Sequence, residues 1–121
     1  MRGQISFEYL LVSVVALFLL SISAASLINI KEFSDVSIEK AQFKSSAAKL
    51  TNTIAQVCAL GSGNKRTIFL NSFLSVDYYD GAVHITNSST IASTIPCEVI
   101  PETNLQGSVI IENNNGKIKI R

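Results

Sequence analysis

The stretch VSIEKAQFKSSAAKLTNTIAQV, Val36 to Val57, decides how this chain folds. Its apolar residues Val36, Phe43, Ala47, Leu50, Ile54 and Val57 follow one another at steps of 7, 4, 3, 4 and 3. That spacing puts them on one stripe of an α-helix, because a turn takes about 3.6 residues. Glu39, Lys40, Lys44, Lys49 and Gln56 fall off the stripe and form the wet side. Such a helix is expected to bury one face against another element. Gly61 follows the last stripe residues, where a left-handed residue closes a helix. No proline occurs before Pro96.

Working toward the N-terminus, the helical reading does not stop. From Tyr9 to Ile30, about 22 residues carry no Asp, Glu, Lys, Arg or His, enough to span a bilayer as a helix. Ser13, Ser21, Ser23 and Ser26 are compatible with that role, since a helical serine bonds back to its own backbone. A helix from Gln4 to Leu60 would run roughly 85 Å. Ser34-Asp35 marks a place where it would break or kink. The alternative is an ordinary anchor followed by a separate amphipathic helix. Three readings of the apolar run compete: a conventional secretory signal cut near Ser23-Ala24-Ala25, a permanent signal anchor, and a leader clipped just before the run. Glu8, at the edge of the run, argues against the first, which wants a positive region directly before its apolar core. An unpartnered carboxylate in hydrocarbon costs several kcal/mol, so Glu8 either stays among headgroups or has a partner.

The opening residues Gly3-Gln4-Ile5-Ser6-Phe7-Glu8 resemble the start of archaeal type IV pilin-like proteins with a class III signal peptide, whose pattern is Gln-x-Ser-x-Glu-x-x-x-Leu. Gln4, Ser6 and Glu8 match; the leucine position is Val12, with Leu10 and Leu11 beside it. The resemblance is strongest over residues 1–30. It implies cleavage between Gly3 and Gln4 by a prepilin peptidase, with residues 1–3 as leader and 4–30 as a transmembrane and later filament-core helix. It also implies that Glu8 pairs with the new amine of Gln4 on a neighbouring subunit. Gly3 suits close approach of a protease to the backbone, and Arg2 keeps the leader on the cytoplasmic side. Residues 31–61 are the amphipathic continuation.

Beyond Gly61-Ser62-Gly63-Asn64, residues 62–121 change period and read as a β domain. Thr67–Leu70 is one strand. Leu74–Tyr78 and Ala82–Thr86 alternate around Asp80-Gly81, a hairpin signal. Glu98–Ile100 is a short strand bounded by Pro96 and Pro101. Ser108–Glu112 and Lys117–Arg121 flank Asn113-Asn114-Asn115-Gly116 as the clearest hairpin. The polar stretch Ser88–Thr94 reads as an exposed loop and a candidate contact surface. Four or five strands need a cover, and the helix stripe supplies it. The fold class is thus α+β: a long N-terminal helix packed on a small antiparallel sheet.

Cys58 and Cys97 are the only cysteines. A disulfide is favoured on an outward-facing domain; two buried thiols or a metal pair are the alternatives, and two thiols without His neighbours make a poor zinc site. His84, the single histidine, sits in a strand with no nucleophile setting. Asp77, Asp80 and Glu98 do not form a convincing acid pair, since Asp80 is explained by its turn. Phosphate-loop, metal-spacing and nucleophile motifs are not found, so no cofactor and no catalytic residue are expected. The net charge of +1, without a Lys/Arg cluster, argues against nucleic-acid binding. Asn87-Ser88-Ser89 is a candidate glycosylation sequon. The resemblance implies a structural, non-enzymatic subunit of an archaeal surface filament serving adhesion. It would lie in the cell membrane as a precursor, N-terminus inside, and be extracellular once assembled. Its partners would be identical or related pilins, the prepilin peptidase and the type IV pilus assembly machinery. The rival is a membrane-anchored or secreted binding protein that never polymerises.

Overall fold

The structure is a computed structural model and describes residues 2–121, with side chains from Ser6 onward. The chain divides into two units, residues 1–37 and 38–121. Its elements are one helix, α1 (Arg2–Leu60), and six strands: β1 (Lys65–Tyr79), β2 (Ala82–Thr86), β3 (Thr90–Thr94), β4 (Glu98–Val99), β5 (Glu102–Asn114) and β6 (Lys117–Ile120). Helical structure continues through Ser34-Asp35, so the break anticipated there is not present.

In the first unit every large apolar side chain from Phe7 to Ile30 is exposed, from 49% at Val15 to 75% at Tyr9. The serines of this stretch are satisfied locally. Ser13 Oγ donates to the Leu10 carbonyl at 2.8 Å, and Ser21, Ser23 and Ser26 donate four residues back at 2.9–3.0 Å. The polar groups of the apolar run are thereby turned inward onto the helix backbone, as a lipid environment requires.

In the second unit the helix stripe does what its period predicts. Phe43, Ala47, Leu50, Ile54 and Val57 are buried against the sheet. Val36, expected on the same stripe, is 52% exposed; it belongs to the first unit, and the covered part of the stripe begins at Phe43. The facing core comes from alternate strand residues: Leu70, Leu74, Val76, Val83, Ile85, Leu105, Val109, Ile111, Ile118 and Ile120.

The strand order is β3-β2-β1-β5-β6-β4. All pairings are antiparallel except β4 with β6, which is parallel, so the sheet is mixed rather than purely antiparallel. Two expected strands, Thr67–Leu70 and Leu74–Tyr78, are one, β1, whose pairing with β5 slips between Leu70, Leu74 and Val76. The polar stretch expected to be a loop contains β3, which pairs residue for residue with β2. Thr90 to Thr94 lack strong strand character of their own; the ladder offered by β2 makes the strand. The turn at Asp80-Gly81 is as expected; the second is tighter than Asn113–Gly116, because Asn113 and Asn114 belong to β5 and only Asn115-Gly116 turn. Asp80-Gly81 and Asn115-Gly116 all have positive φ (54°, 72°, 54° and 86°), the conformation that favours Asn, Asp and Gly there.

The connection from β3 to β4 fixes the sheet's curvature. These strands lie at opposite edges, and a flat six-stranded sheet would separate them by about 24 Å. Yet only Ile95, Pro96 and Cys97 join Thr94 to Glu98, a path of at most about 14 Å. The two ends of the ladder must also approach. Thr94 lies beside Ala82, opposite Tyr79 at one end of β1, whereas Glu98 lies beside Lys117, near the Lys65 end. A straight β1 would hold those ends about 46 Å apart. β1 and β5 therefore bend, and the bend falls at the register slips, where Asn104 (φ 59°) and Gly107 (φ 74°) turn left-handed in β5. The sheet curls around the C-terminal part of the helix, and β4 comes close to β1.

The helix end is tied down on three sides. Gly61 (φ 85°) donates to the Cys58 carbonyl at 3.2 Å, and Asn64 Nδ2 donates to the Leu60 carbonyl at 2.8 Å. Asn113, buried on β5, donates from Nδ2 to the Val57 carbonyl at 3.2 Å while its Oδ1 accepts from Gly116 N at 2.9 Å. Carbonyls that a helix leaves unpaired at its end thus find partners.

Candidate functional site

The disulfide is formed: Cys58, in the last turn of α1, is bonded to Cys97, with Cα atoms 6.0 Å apart. That separation lies within the ordinary range for a bridge. The bond clamps the β3–β4 connection, the segment that brings the two sheet edges together, onto the helix end. The sequence separation is 39, and closing a loop of that size contributes roughly 3–4 kcal/mol in the chain-entropy model. We expect Cys58→Ser combined with Cys97→Ser to lower stability by about that amount, read as an earlier midpoint in urea unfolding of the full chain in detergent. An unchanged midpoint would show that the clamp adds nothing to the packing already present.

At the other end of the chain, Ser6, Glu8 and Val12 are exposed on α1. Glu8 and Val12 are four apart and share a helix face. Phe7, Leu11 and Val12 line the same surface hollow as Glu8. The processing residues Gly3 and Gln4 lie outside the residues whose side chains are described. A carboxylate is therefore presented on an otherwise apolar helix surface, with no ion pair to it among the described residues. The arrangement makes no chemistry by itself. It makes a surface that is unfavourable in hydrocarbon until a cation meets it.

No protein-family model, curated protein or solved structure matches this chain. The site is accordingly read from its own residues.

Asn87 stands in the exposed turn between β2 and β3, where its N–H donates to the Ser89 carbonyl at 3.0 Å; Ser88 and Ser89 are exposed too. His84 lies on the outer sheet face. Its ring stacks on Tyr79 with centroids 3.6 Å apart and planes 5° from parallel, and its register partner is Asp77. Glu98 is bound up with Lys117 at 3.1 Å. Asp77 and Glu98 are thus on separate parts of the sheet. Among the described residues there is no grouping of three or more His, Cys, Asp and Glu side chains that could hold a metal.

The outer face of the sheet holds features that sequence reasoning missed. Phe69 and Phe73 are 63% and 58% exposed. Alternation within β1 is the signal that could have found them, once Leu70 and Leu74 are assigned inward. A second omission is a groove of about 300 Å³ between β3 and the helix, lined by Lys44, Ala48, Thr51, Asn52, Ile91, Ala92 and Ser93. It became visible only with β3 recognised as a strand.

Proposed function

We propose that this chain is a structural subunit of an archaeal type IV pilus-like filament, polymerising through its N-terminal helix and displaying its β domain for surface attachment. The observation that carries the reading is the division of labour along α1. From Phe43 to Val57 the helix is covered by its own sheet; from Phe7 to Ile30 it is long and apolar enough to cross a membrane and is wholly exposed. Such a surface is stable in lipid, and outside lipid only when other copies cover it. Glu8 on that surface gains a use when it meets an amine. In this reading a prepilin peptidase cuts after Gly3, and the assembly machinery draws the subunit from the membrane. Gln4 then contributes the amine that pairs with Glu8 of a neighbour. Ser6 and Val12 complete the processing motif. Asn87 offers a glycan acceptor on the displayed domain. The subunit is a building block rather than a catalyst.

The deciding experiment is the N-terminus of the mature protein, by intact mass and terminal sequencing of surface material. A chain beginning at Gln4 is expected. A start near Ser26 would mean a conventionally secreted domain and end the filament reading, and an uncut Met1 would leave a simple anchor.

A further inference from the structure

The outer face of the curled sheet, away from the helix, carries an apolar island flanked by cations. Register sets Lys65, Thr67 and Phe69 of β1 opposite Glu112, Ile110 and Ser108 of β5. Lys119 of β6 stands opposite Glu112 on the same face. Arg121 exchanges backbone hydrogen bonds with Ile110, at 2.7 and 3.0 Å. Phe69 is largely exposed and Ile110 partly so. Three cations, Lys65, Lys119 and Arg121, therefore flank this island, with a single carboxylate among them. Glu112 is shared by Lys65 at 3.8 Å and Arg121 at 3.0 Å. The patch keeps a surplus of positive charge.

The helix offers the complement. Asp35 and Val36 follow Glu32 by three and four residues, so all three lie on one face of the helix. All three are exposed, and among the described residues neither carboxylate is in an ion pair. This segment follows the apolar run, where Lys31 and Glu32 end its suitability for lipid.

We propose that the Phe69 face of one copy docks on the Glu32–Val36 helix face of a second copy. Val36 meets the Phe69–Ile110 island, and Glu32 and Asp35 meet the cations Lys65, Lys119 and Arg121. Apolar contact at the centre with charges at the rim is the ordinary plan of a protein interface, in which the charges set register and exclude wrong partners. The second copy is chosen as partner because both complementary surfaces belong to this chain. The inference rests on the reading of the chain as a polymerising subunit and deepens it.

The test is zero-length carbodiimide cross-linking of the full-length protein in its native membranes and in sheared surface material. The reagent condenses a carboxylate with a lysine amine, with loss of water, only where the two touch. Covalent dimers are expected to contain peptides joining Glu32 or Asp35 to Lys65 or Lys119. Those links should be lost in the variant Lys65→Gln with Lys119→Gln. They should also fall sharply when the reaction is run in about 0.5 M salt, which screens exposed charges. Both lysines are exposed, and a thermal melt checks that the variant folds. Filaments whose cross-linked dimers contain none of these links would overturn the docking and leave the polymer reading standing. The links without filaments would keep the docking and sink the polymer. A protein that gives no dimers in either preparation would overturn the docking outright.

Discussion

Glu8→Gln is expected to abolish surface filaments while leaving the chain in the membrane at its usual level. The substitution keeps the size and hydrogen-bonding capacity of the side chain and removes only its charge. Insertion depends on the apolar run, which is unchanged, and losing a charge from its edge makes insertion no harder. Assembly is another matter. In the paired arrangement, the variant leaves the amine of Gln4 on each neighbour buried without its counter-charge, and removing one partner of a buried pair is far worse than never having built it. We expect the concentration needed for polymerisation to rise by about two orders of magnitude or more. Membrane fractionation and electron microscopy of sheared material read the two halves of the result. Normal filaments from Glu8→Gln would remove the pairing and return Glu8 to a place among the headgroups.

The second large effect lies in the β domain. Leu50 is fully buried at the centre of the helix–sheet contact. Leu50→Ala removes that packing and leaves a cavity, at a cost of about 2–5 kcal/mol. A small domain holds only about 5–15 kcal/mol in total, so the thermal midpoint should fall by roughly 10–30 °C. Circular dichroism of the full chain in detergent, with the disulfide intact, measures it. Leu20→Ala supplies the comparison: Leu20 is 65% exposed in the membrane-length run, and its loss should move the same transition by no more than about 0.5 kcal/mol. If the two variants melt alike, the helix stripe is not what holds the domain together.

These two residues also mark what the sequence can and cannot reveal. Leu50 is legible because a 3.6-residue period repeats over several turns, and only a helix with one covered face keeps it. The turns at Asp80-Gly81 and Asn115-Gly116 are legible for a similarly local reason: their left-handed backbone demands those residue types. β3 is not legible, because Thr90, Ala92 and Thr94 alternate with only one large apolar residue, Ile91, and the strand exists by virtue of its neighbour. The continuity of β1 through Asn71-Ser72-Phe73 is hidden as well, since a bulge lets polar residues sit in mid-strand. The parallel pairing of β4 with β6 is a long-range fact with no local signature. Cys58 and Cys97 lie between these cases. Their number and expected compartment favour a bond, but only the curvature of the sheet explains why residues so far apart in sequence meet. At Glu8 the residue stands out plainly, and no ion pair among the described residues meets it; the amine proposed for it is that of a neighbouring copy.

The curled sheet has a consequence for the order of synthesis. β6, Lys117–Ile120, lies between β5 and β4 and carries Ile118 and Ile120 into the core. Until it emerges, β4 has no ladder and the curl has no closing edge. The helix stripe from Phe43 to Val57 is made about sixty residues earlier, which at ribosomal rates of roughly 5–20 residues per second means a delay of about 3–12 s. During every round of translation, a nascent chain with its apolar run already made thus carries a second greasy face that its own sheet covers fully only when β6 arrives. Until then the strands already made, β1, β2 and β5, shield only part of that face, and the open edge beside β5 waits for the last strand.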